Sequence, residues 1–248
     1  MTTVGDNYAQ GSVMVLSYKD ALTEDRAFPP MRRPTEGAEN DLVMRYIEFG
    51  LPKPSPNYRC QIFIEPRVEE AFPDIVAAYW DADVAATWPG RRAALEYREL
   101  RVLHYLYLAH QASVPTLAKI FGKKQVEQSI NLLTDAEVIR INNEIVRLQP
   151  MRQVFALRKI IAIEAKMVAT RRGLEQAFRN TWFASESYLL SERETKNEDI
   201  ISTATNFGVG LISVTTKIAS AKTKARRVNI PASYASWYFN EWCWRNTL

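Results

Sequence analysis

The chain has 248 residues, of which 47% are hydrophobic and 11% aromatic. That length suits one large domain or two modest ones, and the apolar and aromatic content excludes a disordered chain. A formal net charge of +4 and a sequence pI near 9.0 are compatible with a polyanionic partner without requiring one.

The first residues are irregular, with a strand expected over Ser12–Tyr18 and an extended, proline-broken stretch from Phe28 to Pro34. From Gly37 a helix is expected, with Leu42, Val43, Tyr46 and Ile47 at helical spacing and Gly50 closing it. A stiff Pro52–Pro56 connector leads to a strand at Cys60–Ile64. A second short strand, apolar and rich in β-branched and aromatic residues, follows at Asp74–Trp80.

After Asp81-Ala82-Asp83 the pattern changes from strand to helix. Leu95, Leu100, Leu103, Leu106 and Tyr107 recur at helical spacing through Ala94–His110. Ser113 is placed to cap a second helix, Val114–Phe121, with Pro115 in its first turn and Gly122 breaking it. A third helix begins near Lys123 and turns Val126, Ile130 and Leu133 inward. Glu137–Ile141 and Ile145–Leu148 then read as two strands around Asn142-Asn143-Glu144.

Beyond this comes a strand over Val154–Lys166, a helix around Thr170–Ala184 and a strand at Ser187–Leu190. A helix around Glu198–Asn206 and a strand at Gly210–Thr215 complete the regular pattern. The run Lys217–Arg227 is the densest basic segment and reads as a solvated helix or loop face, or as a backbone-tracking one. Tyr234–Trp244 is unusually aromatic, which implies packing onto the core or a homodimer or larger-assembly contact; stacking on bases is the further alternative, though nothing in the spacing requires it.

Cys60 and Cys243 are the two cysteines and have no metal-ligand spacing, so neither a disulfide framework nor a zinc site is expected. His104 and His110 lie on the first helix of the middle segment and read as structural. The absence of a secretory signal or membrane-spanning run predicts a cytoplasmic protein with no membrane partner.

The chemistry concentrates at the end of one apolar run, Ile160-Ile161-Ala162-Ile163-Glu164-Ala165-Lys166. Strand periodicity puts Glu164 and Lys166 on one face. A carboxylate directly after buried β-branched residues is costly unless paired or metal-bound. If the Asp74 strand is a neighbour, two carboxylates stand side by side and repel unless a cation lies between them. A hard divalent ion, Mg²⁺ with Mn²⁺ as a substitute, meets that demand. Asp81 and Asp83 are rival acids but fall where the middle segment begins.

At these residues the chain resembles the PD-(D/E)xK nuclease superfamily, with Pro73-Asp74 as the first half of the motif and Glu164-Ala165-Lys166 as the second. The resemblance implies a restriction-endonuclease-like α/β (α+β) fold, a mixed sheet flanked by helices. It implies Asp74, Glu164 and the Ala165 carbonyl as metal ligands, Lys166 as the catalytic amine and Gln176 as the active-site glutamine of the following helix. A leading-helix glutamate joins the metal site in several members, and Glu39 is preferred to Glu48. Arg172 and Arg179 lie within a turn of Gln176 and are candidates for phosphate contact.

The chain departs from the compact family pattern in the long separation of the two motif strands. The intervening three helices and hairpin resemble a winged helix-turn-helix. That resemblance offers Lys123, Lys124, Gln125, Gln128 and Asn131 to DNA from the third helix, and Arg140, Asn142, Asn143 and Arg147 from the wing. The implied organisation is a nuclease-like core over 1–85 and 151–248 with residues 86–150 inserted. The implied activity is metal-dependent DNA cleavage. A non-catalytic DNA-binding regulator or assembly protein, or a winged helix that docks protein, remains open.

Overall fold

The structure, a computed structural model, describes residues 13–23, 30–215 and 219–247. Ser12, Phe28 and Pro29 of the expected N-terminal elements, and Lys217 and Ile218 of the basic run, lie outside the described residues. A short strand, β1 (Val13–Leu16), is followed by α1 (Tyr18–Thr23), so the expected N-terminal strand ends before Tyr18. Helix α2 (Ala38–Phe49) buries Leu42, Val43, Tyr46 and Ile47, the stripe its spacing dictates. Strands β2 (Arg59–Ile64) and β3 (Ile75–Trp80) form an antiparallel pair, with Asp74 immediately before β3.

The middle segment opens with α3 (Ala82–Ala86), capped by Asp81, and a 3₁₀ turn at Gly90–Ala94. Helix α4 (Tyr97–Ala109) starts later than its apolar spacing suggests, because Glu96 and Glu99 close a reciprocal capping box there. A two-residue strand, β4 (Ala112–Ser113), precedes α5 (Val114–Phe121), where the Ser113 side chain accepts from Thr116 N. Helix α6 (Lys123–Asp135) buries Val126, Ser129, Ile130 and Leu133. Strands β5 (Ile139–Asn142) and β6 (Ile145–Leu148) make a hairpin across Asn143 and Glu144, with φ of 48° and 63°. Positive φ at both turn residues is the geometry that matches strand twist. Strand β4 pairs with β6, giving a small three-stranded sheet.

The expected strand beginning at Val154 starts instead at Leu157. Met151–Val154 form a short helix, α7, and the strand β7 runs from Leu157 to Lys166. The following helix, α8 (Arg171–Arg179), is also shorter than expected and passes into a 3₁₀ turn at Asn180–Trp182. Strand β8 (Glu186–Ser191), helix α9 (Glu198–Phe207) and strand β9 (Gly210–Val214) come next. The basic run is neither helix nor loop where it is described first: Ala219–Thr223 form an edge strand, β10, antiparallel to β9. The aromatic tail is the helix α10 (Tyr234–Arg245).

These elements make a mixed α/β fold with a seven-stranded sheet in the order β1-β2-β3-β7-β8-β9-β10. Pairings β1/β2, β7/β8 and β8/β9 are parallel and the others antiparallel. Helix α2 packs on one face, over Ile62, Ile64, Ala77, Ile161 and Ile163. Helices α8 and α9 cover Leu189 and Leu211 on the other. On that second face one apolar cluster runs from Phe63, Val76 and Ala162 through Trp237 and Phe239 into Leu100, Leu117 and Leu133, so α10 joins the sheet to the three-helix segment. The aromatic tail therefore packs onto the core, and no helix among the described residues is long and apolar enough to cross a membrane.

One close approach fixes the start of β9. A Cβ at Gly210 would meet the Tyr188 ring at 2.2 Å and the Ala225 nitrogen at 2.8 Å. Gly210→Ala is accordingly expected to cost about 1–3 kcal/mol, as overpacking in a filled interior does. Chemical denaturation measures it, and an unchanged midpoint would mean that the ring has room to retreat.

Candidate active site

The registers of three neighbouring strands build the site. Phe63, Val76 and Ala162 stand in line across β2, β3 and β7, on the face that α10 covers. Two residues further along each strand, at the same face by strand alternation, come Glu65, Asp74 and Glu164. The Glu65 nitrogen donates to the Asp74 carbonyl at 3.1 Å, which carries the row across the strand ends. Lys166 closes β7 one step beyond. The expected neighbourhood of Asp74, Glu164 and Lys166 is thus a consequence of β3 pairing antiparallel with β7 although nearly ninety residues separate their motif positions.

All three open into one cavity of about 1130 Å³, whose walls also carry Glu39, Gln176 and Arg179. Asp74 Oδ2 accepts from the Ala165 nitrogen at 2.7 Å, so the carboxylate is held against the motif strand itself. Glu164 is 6% exposed, and its Oε1 accepts from Asn180 Nδ2 at 3.0 Å. Lys166 Nζ donates to the Ala165 carbonyl at 2.8 Å and lies 3.6 Å from Glu39 Oε2. Gly173 of α8 leaves space for that lysine, since a Cβ there would lie 3.2 Å from Lys166 Cγ.

Electrostatics mark the row as strained. Burial, followed by the Asp74 charge, pushes the Glu164 carboxyl up to about 7, with Asn180 and Lys166 opposing. Asp74 is also raised, chiefly by burial, against the Ala165 hydrogen bond and the Lys166 charge. Glu65 is raised by burial as well, and its ion pair with Arg32 pulls the other way. Gln176 Oε1 is buried and has no hydrogen-bond partner among the described residues. An acceptor left open in such a position is what a bound donor, water or ligand, would satisfy.

Among the described residues no set of three or more His, Cys, Asp and Glu side chains is gathered to hold a metal ion alone. Asp74, Glu164 and the Ala165 carbonyl are a smaller oxygen donor set, and Mg²⁺ is commonly held by one or two carboxylates with waters and substrate phosphate oxygens completing the shell. Glu39 sits beyond this set, beside Lys166.

Other expected residues are dispersed. Arg172 is exposed on α8 and does not line the cavity, whereas Arg179 does. Asp81 caps α3 and pairs with Arg158 at 3.3 Å, at the opposite end of β3. Lys123, Lys124, Gln128 and Asn131 are exposed on α6, and Gln125 is half-buried. Gln125, Gln128 and Asn131 border a groove of about 690 Å³ whose other wall includes Glu96, Tyr97 and Arg98. Asn142 and Asn143 are exposed at the hairpin end. Arg140 and Arg147 face each other across the hairpin, and Arg147 Nε donates to Gln111 Oε1 at 2.7 Å.

Sequence reasoning missed Glu65, Arg32 and Asn180. Glu65 follows its strand with φ of 49°, a conformation uncommon outside glycine, and strain of that sort gathers at functional sites. Nothing local in the sequence signals it. Compared with known proteins, the chain matches no family model, no curated protein and no solved structure.

Proposed function

We propose that this protein is a Mg²⁺-dependent DNA endonuclease of the PD-(D/E)xK type, cutting phosphodiester bonds at the Asp74–Glu164–Lys166 cluster. The observation that carries the reading is the convergence in one open cavity of a lysine and two carboxylates, Glu164 buried and Asp74 half-buried, both raised chiefly by burial. Such a cluster has no evident structural purpose, because burying like charges together costs stability. Asp74, Glu164 and the Ala165 carbonyl would hold the ion, which when bound supplies Lewis-acid polarisation of the scissile phosphate and an acidified water.

The protein's own groups have separable tasks. Asp74 and Glu164 must both be ionised to hold a cation, and each then serves as acceptor for protons on an incoming water. Lys166 brings positive charge to phosphate oxygens as they gain negative charge in the transition state. Glu39 steers that amine, which would leave the Ala165 carbonyl when an ion takes that oxygen. Gln176 Oε1, otherwise unpartnered, accepts from a water or from Lys166 as it shifts. Water oxygen attacks phosphorus and the 3′ oxygen departs with a proton, leaving a 5′-phosphate.

Helices α4–α6 with the β5–β6 hairpin read as a winged helix-turn-helix inserted between the motif strands. Two arginines placed directly opposite one another, Arg140 and Arg147, repel unless an anion lies between them. Lys123 and Lys124 add charge at the start of α6. These groups would contact the phosphate backbone, with Gln128 and Asn131 nearest to base edges.

The deciding experiment is cleavage of plasmid and linear DNA with Mg²⁺, by the intact protein and by Lys166→Ala. The intact protein should nick or cut and the variant should not, while both shift DNA equally in a binding assay. DNA binding that is indifferent to chelator, with no cleavage under Mg²⁺ or Mn²⁺, would replace this reading with a non-catalytic DNA-binding protein.

A further inference from the structure

The geometry points to a nucleobase-stacking subsite beside the acid pair, so that the strand to be cut presents an unpaired base there. A second cavity, of about 300 Å³, is lined by Tyr97, Tyr234, Tyr238 and Trp242, with Arg67 at its edge. It shares Val68, Glu69 and Tyr234 with the cavity holding Asp74 and Glu164. Tyr97 in turn borders the groove beneath the polar face of α6. Shared walls thus set the groove of Gln128 and Asn131, the ring cavity and the acidic cavity in succession, which is the path assigned to the strand.

The rings form a chain along that path. Trp182, in the wall of the acidic cavity, lies 5.6 Å from Tyr234, and Tyr234 lies 5.3 Å from Tyr97 in an edge-on arrangement. Tyr97 is tilted 34° from Tyr238 at 6.1 Å, and Tyr238 is tilted 36° from Trp242 at 5.1 Å. Most aromatic side chains of this helical face are buried, but Tyr97 is 39% exposed and Tyr234 and Tyr238 are half-buried. Arg101 lies 5.4 Å over the Tyr97 ring, and partly exposed rings in a concave site suit a flat, π-faced ligand.

Charge argues for a base in particular. Glu36, Glu39, Glu65, Glu69 and Glu70 line the acidic cavity with Asp74 and Glu164, against Arg32, Lys166 and Arg179. A phosphate backbone gains little from such a lining without divalent cations, so a strand entering here needs an uncharged source of affinity. Stacking supplies one that salt does not screen. A base drawn out of a duplex, or one already single-stranded, is the part of a nucleic acid that can reach these rings.

The inference takes the position of the strand from the nuclease reading, but its test does not need cleavage. Single-stranded oligonucleotides carrying one 2-aminopurine at successive positions are titrated in Ca²⁺ against the intact protein, Tyr97→Ala, Tyr238→Ala, and the two Tyr→Phe variants. The expected result is fluorescence quenching at one position, an affinity loss of about tenfold in each alanine variant, and recovery in Tyr→Phe. The salt dependence of binding should not change, because no phosphate contact is removed. Quenching that survives both alanine substitutions, or an equal loss for fully paired duplex, overturns the subsite. Tyr97→Ala, at the more exposed ring, keeps the test valid if Tyr238→Ala unfolds. Ring-dependent quenching without any Mg²⁺-dependent cleavage would sink the nuclease reading and leave the subsite standing; cleavage without ring dependence would do the reverse.

Discussion

Glu164→Gln should abolish Mg²⁺-dependent cleavage, by at least about 1000-fold, and at the same time make the metal-free protein more stable above neutral pH. The two effects have one origin. Folding raises the Glu164 carboxyl from 4.5 to about 7, through burial and the neighbouring Asp74 charge. A group raised in this way contributes fully to stability below its unfolded value, and that contribution is lost as pH rises through the folded value. The wild-type protein should therefore lose stability relative to the variant between about pH 4.5 and 7, reaching on the order of 3 kcal/mol at pH 8.

Glutamine keeps the Asn180 hydrogen bond through its carbonyl oxygen and cannot ionise. It also removes the carboxylate that the Asp74 charge repels. Thermal melts from pH 5 to 8.5 without divalent ions would measure the gain, and a curve parallel to the wild type would disprove the raised carboxyl. Added Mg²⁺ should stabilise the wild type at pH 8 and not the variant. At pH 6.5, ion binding to the wild type should release a proton, detectable as a buffer-dependent enthalpy. Unaltered cleavage by Glu164→Gln would remove this residue from the chemistry.

The motif strands were legible because their signals are local. An apolar β-branched run ending in Glu-Ala-Lys declares both its conformation and the face of its charges. The α2 stripe and the Ser113, Pro115 and Gly122 punctuation around α5 are likewise written in neighbouring residues. Glu65 and Arg32 were not, because an ion pair across 33 residues leaves no periodic trace, and Glu65 lies just after its strand ends. The β10 edge strand was hidden by its composition: small residues with a single lysine describe a solvated surface, and only the edge of β9 makes them a strand. Tyr234–Trp244 lacks a clear apolar stripe because α10 is enclosed between the sheet and α4, with buried residues around most of its circumference.

The same enclosure holds a buried ion pair between Arg92 and Glu241. Glu241→Ala, or Arg92→Ala, is expected to cost about 3–5 kcal/mol, measured by chemical denaturation. Arg92 and Glu241 are each 1% exposed and meet in a two-pronged pair, Nε to Oε2 at 2.8 Å and Nη2 to Oε1 at 2.7 Å. Arg92 also donates to the Val154 carbonyl at 2.6 Å and lies 3.4 Å over the Trp88 ring. Asn240, next along α10, accepts from the Ala156 nitrogen and donates to Glu241 Oε1. This network ties the entry of the three-helix segment, its exit into β7 and the C-terminal helix at one buried point.

Removing one partner leaves a full charge stranded in a low-dielectric interior, and that desolvation penalty dominates the loss. Removing both should be far milder, because desolvating two ions nearly offsets their attraction. Arg92→Met combined with Glu241→Leu is accordingly expected within about 1.5 kcal/mol of the wild type, a recovery set by volume-conserving packing. The Val154 carbonyl keeps its Asn240 donor in that variant, so no buried acceptor is orphaned there. A double variant as unstable as the sum of the singles would mean that the two residues act independently, through their other contacts such as the Val154 carbonyl and the Trp88 ring, and not as a pair. Because the network lies at both ends of the three-helix segment, either single loss should also loosen that segment from the sheet, and backbone hydrogen exchange in α4 would rise before exchange in β7.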